Sequence, residues 1–164
     1  MAIRAALVGA GMMGRNHARV LPTLDGVDFV AVVDEDGDQH SVRRDAKLLS
    51  SIDQMASGSI DIAVVATPTI THESTVLNLL DRGIHVLVEK PIADTAAAGR
   101  RMAERAKEKR LVGAVGHIER FNPAIQELKK RLSAGDIGEV FQIATRRQGS
   151  FPQRIGDVGV AKDL

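Results

Sequence analysis

The sequence predicts an α/β fold built on a doubly wound parallel sheet with helices on both faces. Short apolar runs, rich in valine and mostly uninterrupted, recur along the chain as they do in strands buried on both faces. Segments with helical periodicity lie between these runs, which is the alternation typical of βαβ units with right-handed crossovers. Five runs carry the pattern: Ala5–Val8, Phe29–Val33, Ile62–Ala66, His85–Val88 and Leu111–Val115.

Helical segments are expected to follow these strands in order. Met12–Leu21 follows the first run, and Thr71–Leu80 ends shortly before Gly83, a residue that suits a helix C-terminus. Asp94–Lys109 starts at a good N-cap residue and carries small side chains that let a helix lie close to a sheet. A weaker strand at Lys47–Leu49 and a short helix at Ile52–Ala56 complete the predicted unit.

The pattern changes after Val115, so we predict a first domain over residues 1–119 and the truncated start of an α+β domain over residues 120–164. Phe121–Leu132 has helical periodicity, and Val140–Thr145 alternates like a half-buried strand. Ser150–Leu164 has no companion strand or helix to pack against. We therefore expect the chain to be a fragment of a longer protein.

Composition excludes several classes of function. The 164 residues include 22 Lys plus Arg against 21 Asp plus Glu, no cysteine and 2% aromatics. Disulfides and thiolate metal sites are excluded, and we predict no metal site. The balanced charge and the few aromatics argue against a nucleic-acid partner. No apolar run approaches the ~18 residues of a membrane helix, and the first apolar run leads straight into glycines, unlike a signal peptide. A cytoplasmic protein without a membrane partner is expected.

A glycine pattern directly follows the first predicted strand. The residues Gly9-Ala10-Gly11-Met12-Met13-Gly14 match G-x-G-x-x-G, with a helix opening inside the match. Gly9 permits a tight turn, Gly11 lets a pyrophosphate approach the backbone, and Gly14 lets helix and strand pack closely. The N–H groups at the helix start, including those of Met12 and Met13, favour bound phosphate. The alternative is a glycine-rich turn that binds nothing.

Asp34 lies twenty residues beyond Gly14, at the end of the second run. A carboxylate there accepts hydrogen bonds from the adenosine ribose diol of a dinucleotide and repels a 2′-phosphate, so NAD is favoured over NADP. The neighbouring Glu35 and Asp36 add no positive charge, although Arg43 and Arg44 lie further along the same loop. The alternative is that Asp34 is an ordinary turn residue at a strand end.

Two more segments follow strand ends on the edge of the sheet where ligands bind in such folds. Thr67 and Pro68 follow the third run, with His72 in the next helical turn, and Glu89 and Lys90 follow the fourth. A lysine that ends a buried strand is unusual, and partial desolvation suits an amine for proton transfer. The alternatives are a salt-bridged Lys90 and a His72 that merely caps a helix or lies on the surface.

These residues, taken together, resemble the Gfo/Idh/MocA family of NAD(P)-dependent sugar oxidoreductases. The resemblance rests on the glycine pattern, Asp34, Ala66-Thr67-Pro68, Glu89-Lys90-Pro91 and the run G-H-I-E-R-F-N-P at residues 116–123. The last run looks most like the nucleotide-sugar branch, such as UDP-N-acetylglucosamine 3-dehydrogenases. The resemblance implies a Rossmann-like NAD(P)-binding domain and a sugar, nucleotide-sugar or cyclitol substrate.

Roles for individual residues are also implied by the resemblance. Residues 9–14 would hold the pyrophosphate, and Thr67, Pro68 and His72 would line the cofactor pocket. Glu89 would reach the nicotinamide ribose, and Lys90 would help the proton of the substrate hydroxyl to leave. His117 would lie near the sugar, and the alternative is a purely structural role. Pro91 is often preceded by a cis bond in this family.

The resemblance further implies a second, sheet-rich domain carrying a catalytic histidine beyond residue 164, and a homo-oligomer for the full-length protein. We therefore expect this chain to bind NAD and to oxidise sugar poorly or not at all. The alternative function is a non-catalytic NAD-binding sensor or scaffold, which needs no proton-handling lysine at position 90.

Overall fold

Six parallel strands form one sheet in the computed structural model, which describes residues 2–146. The strands are β1 (Ile3–Val8), β2 (Val27–Val33), β3 (Lys47–Leu49), β4 (Ile62–Val65), β5 (His85–Val88) and β6 (Gly113–Val115). Their order across the sheet is β3-β2-β1-β4-β5-β6, with every neighbouring pair parallel. The order reverses between β1 and β4, which confirms the doubly wound sheet and marks the position where such sheets bind ligands.

Residues 2–146 contain four α-helices, α1 (Met12–Val20), α2 (His72–Asp81), α3 (Ala96–Lys109) and α4 (Pro123–Ala134), of which the first three belong to the same compact unit as the sheet. The N-cap predicted for α3 and the helix predicted after β3 were both wrong. The N-cap of α3 is Thr95, whose side chain accepts the Ala98 N–H at 3.2 Å, and not Asp94. The segment predicted as a helix over Ile52–Ala56 forms a 3₁₀ turn over Ile52–Gln54.

The core divides into two layers because successive strand residues point to opposite faces of a sheet. Ala5 and Leu7 of β1 pack in a cluster with Ala18 of α1. Ala6 and Val8 pack in a second cluster with residues of α2 and α3. Helices therefore cover both faces of β1, which explains why its sequence is apolar without interruption.

The described residues form two compact units, 2–116 and 117–146. In the second unit α4 begins after Asn122, whose side chain accepts the Ala124 N–H at 3.0 Å, and ends at Gly135 in a left-handed conformation. The strand predicted over Val140–Thr145 was wrong: these residues are exposed and form no strand with any described segment. A strand is stable only when a neighbour satisfies its backbone groups. Ser150–Leu164 lies outside the described residues.

An ion pair joins β1 to β4 at the edge where these strands begin. Arg4 donates to Asp61 from Nη2 at 2.7 Å and from Nε at 3.0 Å, and its backbone N–H adds a bond of 2.8 Å. These hydrogen bonds lower the pKa of Asp61 to about 2. Because the pKa is lower in the folded protein, the unfolded chain takes up more protons as the pH falls.

The stabilisation from this ion pair should therefore be complete above pH ~4, the usual pKa of an unfolded aspartate, and should be lost as the pH falls toward 2. We expect Arg4→Met to lower the urea midpoint at pH 7 and to lower it less at pH 3. Arg19→Met, on the exposed side of α1, is the control and should leave the midpoint unchanged at both values. An Arg4→Met effect that is equal at pH 7 and pH 3 would contradict this assignment.

Candidate functional site

The glycine loop connects β1 to α1 and is tightly packed at both ends. Gly9 adopts a φ of 96°, and a Cβ there would lie 2.7 Å from the carbonyl carbon and oxygen of Ala66. A Cβ at Gly14 would lie 2.0 Å from the carbonyl oxygen of Gly9. Both glycines are therefore required by the packing of the loop itself, whether or not a ligand is bound.

Gly11 differs from these two glycines because nothing in the fold requires it. Its φ is −67°, and a Cβ added there would meet nothing within 4 Å. It precedes α1, whose start has no side-chain cap and no acidic residue in the first turn. Next to this open position, the backbone N–H groups of the first turn of α1, including those of Met12 and Met13, have no acceptor within the helix and carry the positive end of the helix dipole. This cradle fits a pyrophosphate.

Asp34 follows β2 and holds the glycine loop from the side. Its Oδ2 accepts the Ala10 N–H at 2.7 Å, and its Oδ1 accepts the Asp36 N–H at 3.0 Å. Each carboxylate oxygen can accept a second hydrogen bond. The sequence placed Asp34 at this strand end, and the structure brings its carboxylate into contact with the loop that carries Gly11.

The segment after β4 contains Thr67, Pro68 and His72. Thr67 is half-buried and Pro68 is exposed, whereas the His72 side chain is buried, with 1% exposed. His72 Nε2 lies 2.9 Å from the Thr67 carbonyl oxygen, and Nδ1 lies 3.0 Å from that of Pro91. The ring thus joins the segments after β4 and β5, and it does not line an open pocket as the resemblance implied. Because the backbone occupies both ring nitrogens, His72 can act on a ligand only by positioning these segments.

Glu89 and Lys90 follow β5 at the same edge of the sheet. Glu89 is 6% exposed, its Oε1 lies 2.7 Å from His17 Nε2, and its Oε2 accepts the Lys90 N–H at 3.1 Å. Burial by itself raises the pKa of the Glu89 carboxyl, but the hydrogen bond and charge of His17, together with Lys90, hold that pKa below its usual range. The Lys90–Pro91 bond is cis, as the resemblance implied. The carboxylate is therefore kept charged in a nearly dry position.

A groove of about 490 Å³ lies near the end of β2. It is lined by Asp38, Ser41, Arg43, Arg44 and Leu48. Asp38 shapes this loop by accepting the backbone N–H groups of Val42 and Arg43. The side chains of Arg43 and Arg44 are exposed and form no ion pair within residues 2–146. The two arginines noted in the sequence thus line a surface groove.

His117 belongs to the second compact unit and is exposed. Its carbonyl oxygen accepts the Arg120 N–H at 3.1 Å, at the start of a 3₁₀ turn over Ile118–Phe121. A contact between His117 and a substrate therefore stays a prediction. Within residues 2–146 no group of three or more metal-ligating side chains comes together. The helices of the same residues are too short or too polar to cross a bilayer.

A family model described as an oxidoreductase family with an NAD-binding Rossmann fold, Gfo/Idh/MocA, matches residues 3–117. The chain belongs to this family. It is 38% identical over 148 residues to inositol 2-dehydrogenase 1 of Saccharopolyspora erythraea, a match that covers 85% of this chain and 44% of that relative. It is 31% identical over 142 residues to 4-carboxy-2-hydroxymuconate-6-semialdehyde dehydrogenase of a Sphingobium strain, covering 82% and 44%. The chain thus spans less than half the length of these relatives.

One of the solved structures similar to this chain contains NADH together with a nucleotide sugar. The WlbA dehydrogenase from Bordetella pertussis, in complex with NADH and UDP-GlcNAcA, matches with a TM-score of 0.75 and 29% identity, over 84% of this chain and 41% of that one. The match supports the six-stranded parallel architecture described above.

One residue of this family member was missed by the sequence reasoning. His17, three residues after Gly14, is in direct contact with Glu89, which lies 72 positions further along the chain. The available signal was its position on α1: a polar ring one helical turn beyond the glycine pattern points toward the edge of the sheet where strands end.

Proposed function

We propose that this chain forms the cofactor-binding part of an NAD-dependent dehydrogenase that oxidises a hydroxyl group of a sugar, nucleotide sugar or cyclitol. The observation that carries the proposal is that Glu89 and Lys90 directly follow β5 on the same sheet edge as the open cradle at Gly11. In a sheet of this order a dinucleotide lies across the point where the strand order reverses. Its phosphates would then be held by the glycine loop, and the residues after β4 and β5 would border its reactive end.

Bound NAD⁺ would supply the hydride acceptor. The amides of Met12, Met13 and Gly14 would bind the pyrophosphate, and Asp34 would bind the adenosine ribose with its free lone pairs. Glu89, held charged and nearly buried, would accept hydrogen bonds from the second ribose, and Thr67 and Pro68 would border the same half of the site. Lys90 would lie beside the substrate hydroxyl and take up its proton as the carbon is oxidised.

The substrate class is supported by the family relatives. Among them are inositol 2-dehydrogenases and a dehydrogenase solved with UDP-GlcNAcA, and the matches to this chain cover less than half the length of each. If the complete gene product is such an enzyme, it should form NADH from NAD⁺ with at least one cyclitol, sugar or nucleotide sugar. Absence of NADH formation with every class, despite NADH binding, would favour a sensor or scaffold. The cytoplasmic location, the homo-oligomer and the domain boundary at residue 119 stay predictions.

Binding of the cofactor is tested directly at Gly11. We expect this chain to bind NADH, observed by fluorescence titration, and Gly11→Val to weaken binding about a hundredfold because the branched side chain would fill the cradle. Gly11→Val should remain folded, with a modest fall in its unfolding temperature, since a Cβ at this position meets nothing within 4 Å and valine is a poorer N-cap residue than glycine. The NADH affinity of Gly11→Ala is expected to lie between that of the wild type and that of Gly11→Val. Equal NADH affinity in all three proteins would remove the cradle from the proposal.

The preference for NAD over NADP is tested at Asp34. We expect NADH to bind at least about tenfold more tightly than NADPH, because the carboxylate binds a ribose diol and repels a phosphate. Asp34→Asn should weaken NADH binding and narrow the difference between the two cofactors. The double variant Arg43→Gln, Arg44→Gln should leave NADH affinity unchanged. Tighter NADPH binding that disappears in the arginine variant would reverse the assignment.

A further inference from the structure

The contact between His17 and Glu89 crosses the fold from α1 to the end of β5. The two side-chain atoms lie 2.7 Å apart, and the residues differ greatly in exposure: 22% of the His17 side chain is exposed against 7% of that of Glu89. The partner with access to water is thus the histidine. Burying a carboxylate is costly unless charged or hydrogen-bonding groups compensate it, so this contact has to be explained by what it does for Glu89.

Glu89 is confined on its other sides as well. Its Oε2 accepts the backbone N–H of Lys90 at 3.1 Å. A Cβ added to Gly116, directly after β6, would lie 3.3 Å from the carboxyl carbon and from both carboxyl oxygens. The carboxyl group is therefore packed under a glycine on one side and fixed to its own backbone on another. The contact from His17 adds a side chain to this set, at 2.7 Å from the other carboxyl oxygen, Oε1.

The histidine is not required to attach α1 to the sheet. That attachment comes from Ala18, which is 3% exposed and packs in the core cluster that contains Leu7. The hydrogen bond of His17 therefore acts on one group, the Glu89 carboxyl.

We infer that His17 is a positioning residue, which fixes the Glu89 carboxylate for contact with the dinucleotide and with Lys90. The inference rests on the proposed function for its ligand. It goes further by assigning a task to a helix residue that lies outside the glycine pattern and outside the segments after β4 and β5.

The electrostatics of the site agree with this role. Two charged or titratable groups act on Glu89: His17 from α1 and Lys90 from the segment after β5, whereas β6 contributes the uncharged Gly116. Burial raises the pKa of Glu89, and both neighbours lower it. Without His17 the carboxyl group should therefore take up a proton at a higher pH, and a protonated carboxyl is a poorer acceptor for ribose hydroxyls.

The first experiment needs no cofactor. The titration of Glu89 is followed by the chemical shift of its Cδ carbon in ¹³C-labelled protein, with the signal assigned by its loss in Glu89→Gln. We expect the midpoint to lie at a higher pH in His17→Ala than in the wild type. His17→Gln places an amide donor near the original Nε2 position and should restore part of the difference. An unchanged midpoint in His17→Ala overturns the inference, whether or not the chain binds NADH.

The second experiment is a double-mutant cycle on NADH affinity. We expect His17→Ala to weaken binding about tenfold in the wild-type background and less than about twofold in the Glu89→Gln background. His85→Gln, at the opposite end of β5, is the matched control and should leave the NADH affinity unchanged in both backgrounds. The same loss in both backgrounds, or no loss in either, overturns the inference. A wild-type chain that fails to bind NADH overturns the proposed function instead, and the titration then decides the role of His17.

Discussion

Replacing Gly14 by alanine is expected to destabilise the chain by about 3 kcal/mol or more, the range of a severe overpacking substitution. The added Cβ would lie 2.0 Å from the carbonyl oxygen of Gly9 and 3.0 Å from its carbonyl carbon. Both atoms belong to the backbone, so no side-chain rotation relieves the clash. The loop would have to move away from α1, and this movement would also disturb the contact between Gly9 and Ala66.

The sign of this effect separates two opposing causes. Gly14 lies inside α1, and alanine is intrinsically better than glycine in a helix by about 1 kcal/mol. Helix propensity alone therefore predicts a more stable protein, whereas the close approach to Gly9 predicts a less stable one. The expected result is a fall of about 10 °C in the thermal midpoint, measured by circular dichroism.

Gly11→Ala is the matched control, since it makes the same change three residues earlier in the same loop. Its Cβ would meet open space, and its φ of −67° suits any residue. The thermal midpoint should stay within about 2 °C of the wild type. Equal stability in both variants would mean that the loop is looser than the described packing.

The strands could be predicted from sequence because a sheet that is covered on both faces requires apolar residues at successive positions of its strands. β5 was predicted at its observed bounds, and β3 was found even though it has three residues. The start of β6 was wrong by two residues for a local reason. Leu111, two residues after α3, donates its N–H to the Ala106 carbonyl in the last turn of that helix, and Val112 is 64% exposed.

The segment after residue 117 shows where patterning stops being sufficient. Alternation over Val140–Thr145 matches a half-buried strand, yet these residues are unpaired within the described part of the chain. Alternation reports how a segment would lie on a sheet, and it carries no information about whether a sheet edge is there to receive it.

The candidate site divides along a similar line. Glycines, Asp34, Glu89 and Lys90 could be found because each has a fixed distance from a strand end. The contact of His17 with Glu89 and the burial of His72 could not be predicted in this way. Each depends on one side chain that meets a segment far away in the sequence. For His72 the sequence offered a position lining the cofactor pocket or one that caps a helix or lies on the surface, whereas the ring is buried between the backbone carbonyls of Thr67 and Pro91.

Lys90→Met should abolish oxidation by the complete gene product while leaving its NADH affinity within a few-fold of the wild type. Methionine keeps much of the length of the side chain and removes the amine. Loss of a group that transfers a proton costs typically 10²–10⁴-fold in rate, so kcat for NADH formation should fall by about that factor. Lys107→Met, on the exposed face of α3, is the matched control and should keep the wild-type rate.

Lys90→Arg separates the two ways in which the amine could act. Arginine keeps the positive charge but does not give up its proton in proteins. If Lys90 only supplies charge beside the substrate oxygen, the arginine variant should recover much of the activity lost in Lys90→Met. If Lys90 takes up the hydroxyl proton, as proposed, both variants should be inactive, and NADH binding should persist in both. A Lys90→Met protein that still oxidises substrate at the wild-type rate would leave the amine without a chemical task and would favour a binding protein over an enzyme.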